Sequence, residues 1–242
     1  MKSNAFPLVT AHAGCLHTPP NSLINVLEAV KAGADIVEVD VNTTKDGVAI
    51  LFHDQYVQTP SYGAVPVNTL TFEEIQAMIQ ITRLEDVLPV LHQSQTPINL
   101  DLKSPACLEP MQNVVTSCDM VNLAIISGCH KEDALFVKNR YPEFQVLLNA
   151  EENVADLAPD EYDAYIRKTC QDAIAASCCG ININYQDCRA ELLQYARLRC
   201  LPVLLYTVDQ PPDMERFLRL GVHSITTNEV PTLIALREQI SR

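Results

Sequence analysis

The 242-residue chain has no tryptophan, only seven glycines, and 17 basic side chains against 30 acidic ones. Each shortage excludes something. A net charge of −13 argues against nucleic acid or an anionic membrane surface as partner, because both are held through lysine and arginine. With glycine so scarce there is no glycine-rich phosphate loop after the first strand, as a doubly wound nucleotide-binding sheet would require. No apolar run is long enough to span a membrane, and the opening MKSNAFPLVTA has no signal-peptide stretch. The nine cysteines are odd in number, scattered and without a C-x-x-C pair, a pattern expected of reduced thiols in a reducing compartment. A cytoplasmic protein acting on small molecules is the expectation. At 48% hydrophobic content the chain can bury one large core, so residues 1–242 read as a single domain.

What is present centres on Ile36 to Asp54, IVEVDVNTTKDGVAILFHD. Read with a period of two, Ile36, Glu38 and Asp40 share one side of a strand, and Val37, Val39 and Val41 share the other. The turn Lys45-Asp46-Gly47 reverses the chain, and a second strand, Val48 to Phe52, carries His53 back toward the acids. Two carboxylates and an imidazole at one place are either the solvated charges of a surface hairpin or a metal-assisted acid/base site. On so apolar a strand, an acidic pair asks for a compensating cation or proton. The same parity recurs in INLDLK, where Asn99, Asp101 and Lys103 face one way and Ile98, Leu100 and Leu102 the other. Strand-like stretches at 8–11, 121–127, 145–149, 180–184, 202–208 and 224–227 alternate with helix-like ones. The sum is about eight strands, each followed by a helix, which is an α/β (β/α)8 TIM barrel of ordinary size. It carries a β-hairpin extension at the C-terminal mouth after strand 2. Glu38, Asp40, Asp101, Lys103, Asn149 and Asn184 all fall near C-terminal strand ends, where such barrels place their active sites.

AHAG at 11–14, GADIVEVDVNTTKDG at 33–47, FHD at 52–54, LDLK at 100–103 and YTVD…LGVHSITTNEVP from 206 to 231 together resemble the successive signatures of the glycerophosphodiester phosphodiesterase family. The resemblance implies metal-dependent hydrolysis of a glycerophosphodiester-like small molecule to an alcohol and a phosphomonoester, within lipid metabolism. It implies that His12 and His53 are the catalytic pair. It also implies that Glu38, Asp40 and Asp101, the last standing where the family usually has Glu, hold one divalent cation. Three carboxylates without thiolates suit Mg2+ or Ca2+. Lys103 matches the lysine that faces the phosphate, and Tyr206 stands where the family generally has Trp; with Asn184 it is expected to contact substrate.

The chain departs from the family pattern at Ala13, in place of an arginine, and at Pro20, in place of a glutamate, and its insertion after the hairpin is short. Loss of the arginine predicts weak turnover of simple glycerophosphodiesters. Two other classes stay open: a non-catalytic barrel that binds a phosphate ester, and a lyase, acting on a related diester or through Lys103 as a Schiff-base amine. Oligomeric state is left open.

Overall fold

The computed structural model describes residues 7–59 and 63–240. Strand β1 (Leu8–Ala11) leads through helix α1 (Leu23–Ala32) to β2 (Ile36–Thr43), which turns back into β3 (Ala49–Leu51). A hairpin of β4 (Tyr56–Thr59) and β5 (Gly63–Pro66), short helix α2 (Phe72–Gln76), β6 (Thr82–Arg83) and α3 (Leu84–Ser94) follow. From there strand and helix alternate: β7 (Ile98–Leu102), α4 (Leu108–Ser117), β8 (Ala124–Cys129), α5 (Lys131–Arg140), β9 (Gln145–Asn149) and α6 (Pro159–Ala175). The chain finishes with β10 (Gly180–Asn184), α7 (Ala190–Arg197), β11 (Val203–Tyr206), α8 (Pro211–Leu220), β12 (Ser224–Thr227) and α9 (Val230–Ile240). β2 pairs in parallel with β7, the strands from β7 to β12 pair in sequence, and β12 returns to β1, which also pairs with β2. The result is a closed eight-stranded parallel barrel, the fold expected from the sequence. β3 and β6 extend it antiparallel beyond the upper half of β2, as the hairpin reading anticipated.

Local chemistry explains the element ends. Ser22 Oγ accepts a hydrogen bond from Asn25 N at 3.1 Å and so caps α1, and Gly33, at φ 87°, ends the same helix in the left-handed conformation. Val37, Val39 and Val41 are fully buried in the main core, each worth about 1.5–3 kcal/mol of burial, while Glu38 and Asp40 turn inward. A satellite core of Ile50, Val57, Val67, Phe72 and Ile75 supports the extension.

The stretch after His53 contains the β4–β5 hairpin; its tip, residues 60–62, lies outside the described residues. Helix α2 opens with a capping box between Thr71 and Glu74 and ends at Gln76. The strand expected from Val121 starts at Ala124, because Val121–Leu123 form a 3-10 turn. Among the described residues no helix is long and apolar enough to cross a membrane.

At the N-terminal end of the barrel strands, Arg237 of α9 ties the last helix to the residues that precede β1 and β2. Its guanidinium lies 2.5 Å from Asp35 Oδ2 and 3.0 Å from Pro7 O, and Asp35 Oδ2 also accepts from Val9 N at 2.9 Å. Both side chains are under one-tenth exposed. Asp35→Ala removes the balancing carboxylate and should cost about 3–5 kcal/mol, read from urea unfolding. A loss of under 1 kcal/mol would show that the pair contributes little.

Candidate active site

The C-terminal strand ends surround a cavity of about 260 Å3 that is lined by His12, Glu38, Asp40, His53, Asp101 and Lys103 among others. His12 follows β1 directly, and its Nδ1 lies 3.0 Å from Asn228 Oδ1, just past β12. Asn228 is itself held: its Nδ2 donates to Asp209 Oδ2 at 2.8 Å, and its backbone N donates to Asp209 Oδ1 at 2.8 Å. A carboxylate only accepts, so the Asn228 amide is fixed with its oxygen toward His12. His12 Nδ1 must then carry the hydrogen, which leaves the Nε2 lone pair to act as a base. Sequence reasoning missed Asn228 and Asp209. They lie inside the YTVD and TTNEVP motifs, an acid and an amide just beyond two adjacent strands, and that placement was the only available signal.

The acids come from neighbouring strands, with Asp40 directly opposite Asp101 in register. Glu38 Oε2 accepts from Ala13 N at 2.9 Å. Asp40 is clamped twice by Asn21, whose Nδ2 donates to Asp40 Oδ2 at 2.7 Å and whose Oδ1 accepts from Asp40 N at 2.9 Å. The loop that departs from the family pattern at Ala13 and Pro20 therefore still grips both acids. Ala13 serves through its backbone, with its side chain buried.

Lys103 Nζ bridges Asp40 Oδ1 at 2.7 Å and Asp101 Oδ2 at 2.5 Å. Burial alone would lower its pKa, but the Asp101 and Asp40 carboxylates more than reverse this and hold it above the ordinary lysine value. A Schiff-base lysine needs the opposite shift, so the geometry weighs against an amine nucleophile here. Glu38 titrates well above the usual carboxylate range, first because it is buried and then because Asp40 and Asp101 repel its charge.

Asp101 Oδ1 accepts from Ser127 Oγ at 2.7 Å. Beside it the β8–β9 register shifts between Ile126 and Cys129, and Gly128 sits at φ 76°. A Cβ on Gly128 would stand 2.4 Å from Leu102 O and 3.1 Å from Asp101 Oδ1. Only glycine lets this bulge lie against Asp101.

His53 stands on the rim, its side chain 69% exposed and its Nδ1 2.9 Å from Asp54 Oδ1. Tyr206 lines the cavity and donates its hydroxyl to Glu152 Oε1 at 2.9 Å. Asn184 does not line it. Its Oδ1 accepts from Gln186 N at 3.0 Å and caps the 3-10 turn that ends β10, and Asn182, two residues earlier, faces the cavity in its place.

Three carboxylates are the donors that a hard divalent cation prefers, and the upward shift of Glu38 comes first from its burial and then from the charges of Asp40 and Asp101 beside it. In kind the donors fit such an ion. Their arrangement gives Asp40 and Asp101 to Lys103, and among the described residues no group of three or more His, Cys, Asp or Glu stands ready to hold a metal.

The sequence model of the Glycerophosphoryl diester phosphodiesterase family matches residues 12–232. A glycerophosphodiester phosphodiesterase of Caldanaerobacter subterraneus subsp. tengcongensis is 25% identical over 247 residues, covering 95% of this chain and 97% of the relative. Among solved structures, a glycerophosphodiester phosphodiesterase of Parabacteroides distasonis superposes with a TM-score of 0.80 at 18% identity, over 97% of this chain and 98% of that one. An Oleispira antarctica phosphodiesterase, solved with its product sn-glycerol-3-phosphate, gives 0.79 at 19% identity, over 96% and 97%. At such identities the structures speak for the fold alone, whereas the sequence match runs from His12 to the start of α9 and takes in both histidines, all three acids and Lys103. By that match the chain belongs to the glycerophosphoryl diester phosphodiesterase family, a family of enzymes that hydrolyse phosphodiesters.

Proposed function

We propose that this protein hydrolyses a glycerophosphodiester-like small molecule to an alcohol and a phosphomonoester by histidine acid/base chemistry, assisted by one divalent cation, Mg2+ or Ca2+. The observation that carries the reading is the fixed orientation of His12, which offers a basic Nε2 to the cavity that also holds Lys103 and the three acids. His12 takes the proton of the attacking hydroxyl. If that hydroxyl is the substrate's own, beside the phosphate, the step is intramolecular, which can be worth about 7–11 kcal/mol of barrier, and a cyclic phosphate results. His53 gives a proton to the departing alcohol. Asp54 can only accept, so His53 Nδ1 carries one hydrogen; the general acid is the imidazolium form, whose second hydrogen, on Nε2, goes to the alcohol at the rim and leaves the neutral Nδ1–H ring behind. Water then opens the cyclic ester with the two roles reversed. Lys103 faces a phosphate oxygen with its ammonium.

Held by Glu38, Asp40 and Asp101, a divalent cation would screen the diester's charge and lower the pKa of the attacking hydroxyl. A screen of glycerophosphodiesters with added Mg2+ or Ca2+, run against an EDTA control, tests the proposal. Turnover should vanish in EDTA, and full activity there would overturn the metal assignment. In calorimetry Asp101→Asn and Glu38→Gln should each weaken ion binding by at least about tenfold. Unchanged affinity in both would remove them from the coordination shell. Tight phosphate-ester binding with no turnover of any diester would instead establish a non-catalytic barrel.

A further inference from the structure

We infer that the N-terminal end of the barrel holds a second binding site, for a single-chain carboxylate whose alkyl chain lies under the barrel and whose head meets Arg197. The catalytic mouth is at the other end. A cavity of about 720 Å3 opens beneath the strands, and its floor is aliphatic, made by Leu8 of β1, Ile36 of β2, Ile125 of β8, Leu147 of β9 and Leu204 of β11. It shares no lining residue with the catalytic cavity. Barrel interiors of this kind are ordinarily packed shut by branched apolar side chains, whereas Leu8 and Ile125 stay partly exposed here. Aliphatic walls take an apolar guest in preference to water, and the volume falls within the roughly 300–1,000 Å3 of small-molecule sites.

Shape and charge define the guest. A further cavity of about 340 Å3, between α7 and α8, is lined by Leu193, Leu201, Val203, Leu218 and Val222 and shares Pro202 and His223 with the first. The apolar surface is therefore long, and it suits a chain better than a compact ring. Asp35, His223 and Arg197 are the side chains on these walls that bear or can take a full positive or carboxylate charge. Asp35 is spent on Arg237 and on Val9 N. Burial lowers the His223 pKa below the ordinary imidazole value, so the ring is neutral at neutral pH. Arg197 is left: its Nη2 donates to Leu220 O and Gly221 O, both at 3.2 Å, and it has no carboxylate partner among the described residues. One unbalanced positive charge beside a long apolar wall calls for a chain with one negative charge at its head, and a guanidinium offers a carboxylate two parallel hydrogen bonds.

Decanoate and decanol carry the same chain with and without the charge. In calorimetry at neutral pH, below the micelle concentration of decanoate, one equivalent of decanoate should bind at least about tenfold more tightly than decanol, as for a gained charge-assisted hydrogen bond. Arg197→Gln should bring the two affinities together. Cys179 and Cys200 are exposed and line one cavity each, so they locate the chain: saturating decanoate should slow their alkylation by iodoacetamide about tenfold, since thiol reactivity follows access, and leave Cys118 unaffected. Decanoate no tighter than decanol, a difference that Arg197→Gln leaves unchanged, or undiminished alkylation of Cys179 overturns the site. Uptake that rises past one equivalent without saturating does the same, as the partition of a detergent. If sedimentation shows a dimer that shields both cysteines without decanoate, a second copy covers this face and the carboxylate site is overturned. Should Arg197→Gln fail to give a cooperative thermal transition, the alkylation of the unaltered chain decides.

Discussion

His12→Ala should lower kcat on any glycerophosphodiester that the protein cleaves by about 10^2- to 10^4-fold, the usual worth of a positioned general base, with a much smaller change in KM. The ring is half-buried at the cavity and held through Asn228, so the variant should fold. His53→Ala should act in the same direction, more mildly with substrates whose leaving group needs no proton. The sharper experiment is on Asp209, which meets the substrate nowhere in the proposal. Asp209 receives hydrogen bonds from Thr227 Oγ1, Asn228 N and Asn228 Nδ2. In Asp209→Asn the Asn228 amide is free to turn and offer hydrogen to His12 Nδ1, which moves the ring proton to Nε2 and removes the base. A loss of about ten- to a hundredfold in kcat is expected, as for a lost charge-assisted hydrogen bond, together with a change of the His12 nitrogen signals from the Nδ1–H to the Nε2–H tautomer. Wild-type rates in His12→Ala and His53→Ala, on every diester tested, would sink the phosphodiesterase mechanism. An unchanged tautomer in Asp209→Asn would remove Asp209 alone.

The second large effect concerns Lys103. Lys103→Met takes the ammonium away from Asp40 and Asp101, whose side chains are 8% and 19% exposed, and leaves two facing carboxylates beside a buried Glu38. In EDTA the variant should be destabilised by about 3–5 kcal/mol, the usual result of removing one partner of a buried ion pair. Mg2+ or Ca2+ should restore most of that loss, since an ion that binds only the folded state stabilises it by mass action. Turnover should stay low, because the phosphate contact is gone. A thermal midpoint of Lys103→Met that does not respond to either ion would place the cation away from Asp40 and Asp101.

The barrel was legible because its signal is periodic: alternation in β2 and β7 places the valines of one and Ile98, Leu100 and Leu102 of the other outside, and the acids inside, whatever the loops do. The acids themselves stood out because charged groups on an otherwise apolar strand have few structural uses. Asn21 and Asn228 carried no such mark. An amide in a loop is an ordinary turn residue, and only the closed barrel brings these two against Asp40 and His12. Asn182 and Asn184 share strand parity, so alternation could not separate them. Depth does, since the chain leaves the barrel at Asn184 and spends that side chain on capping the next turn.

His12 and Asn228 lie 216 positions apart in the sequence and meet only where β12 lies against β1. The acids, by contrast, sit on β2 and its neighbour β7, and a partly folded chain can assemble them early. The oriented base is therefore a reporter of ring closure. Long-range pairings of this kind form slowly, so in refolding the fluorescence of the tyrosines should recover before turnover does. A chain cut after β11 would keep Glu38, Asp40, Asp101, His12, His53 and Lys103, yet have nothing to tell His12 which nitrogen should hold its proton.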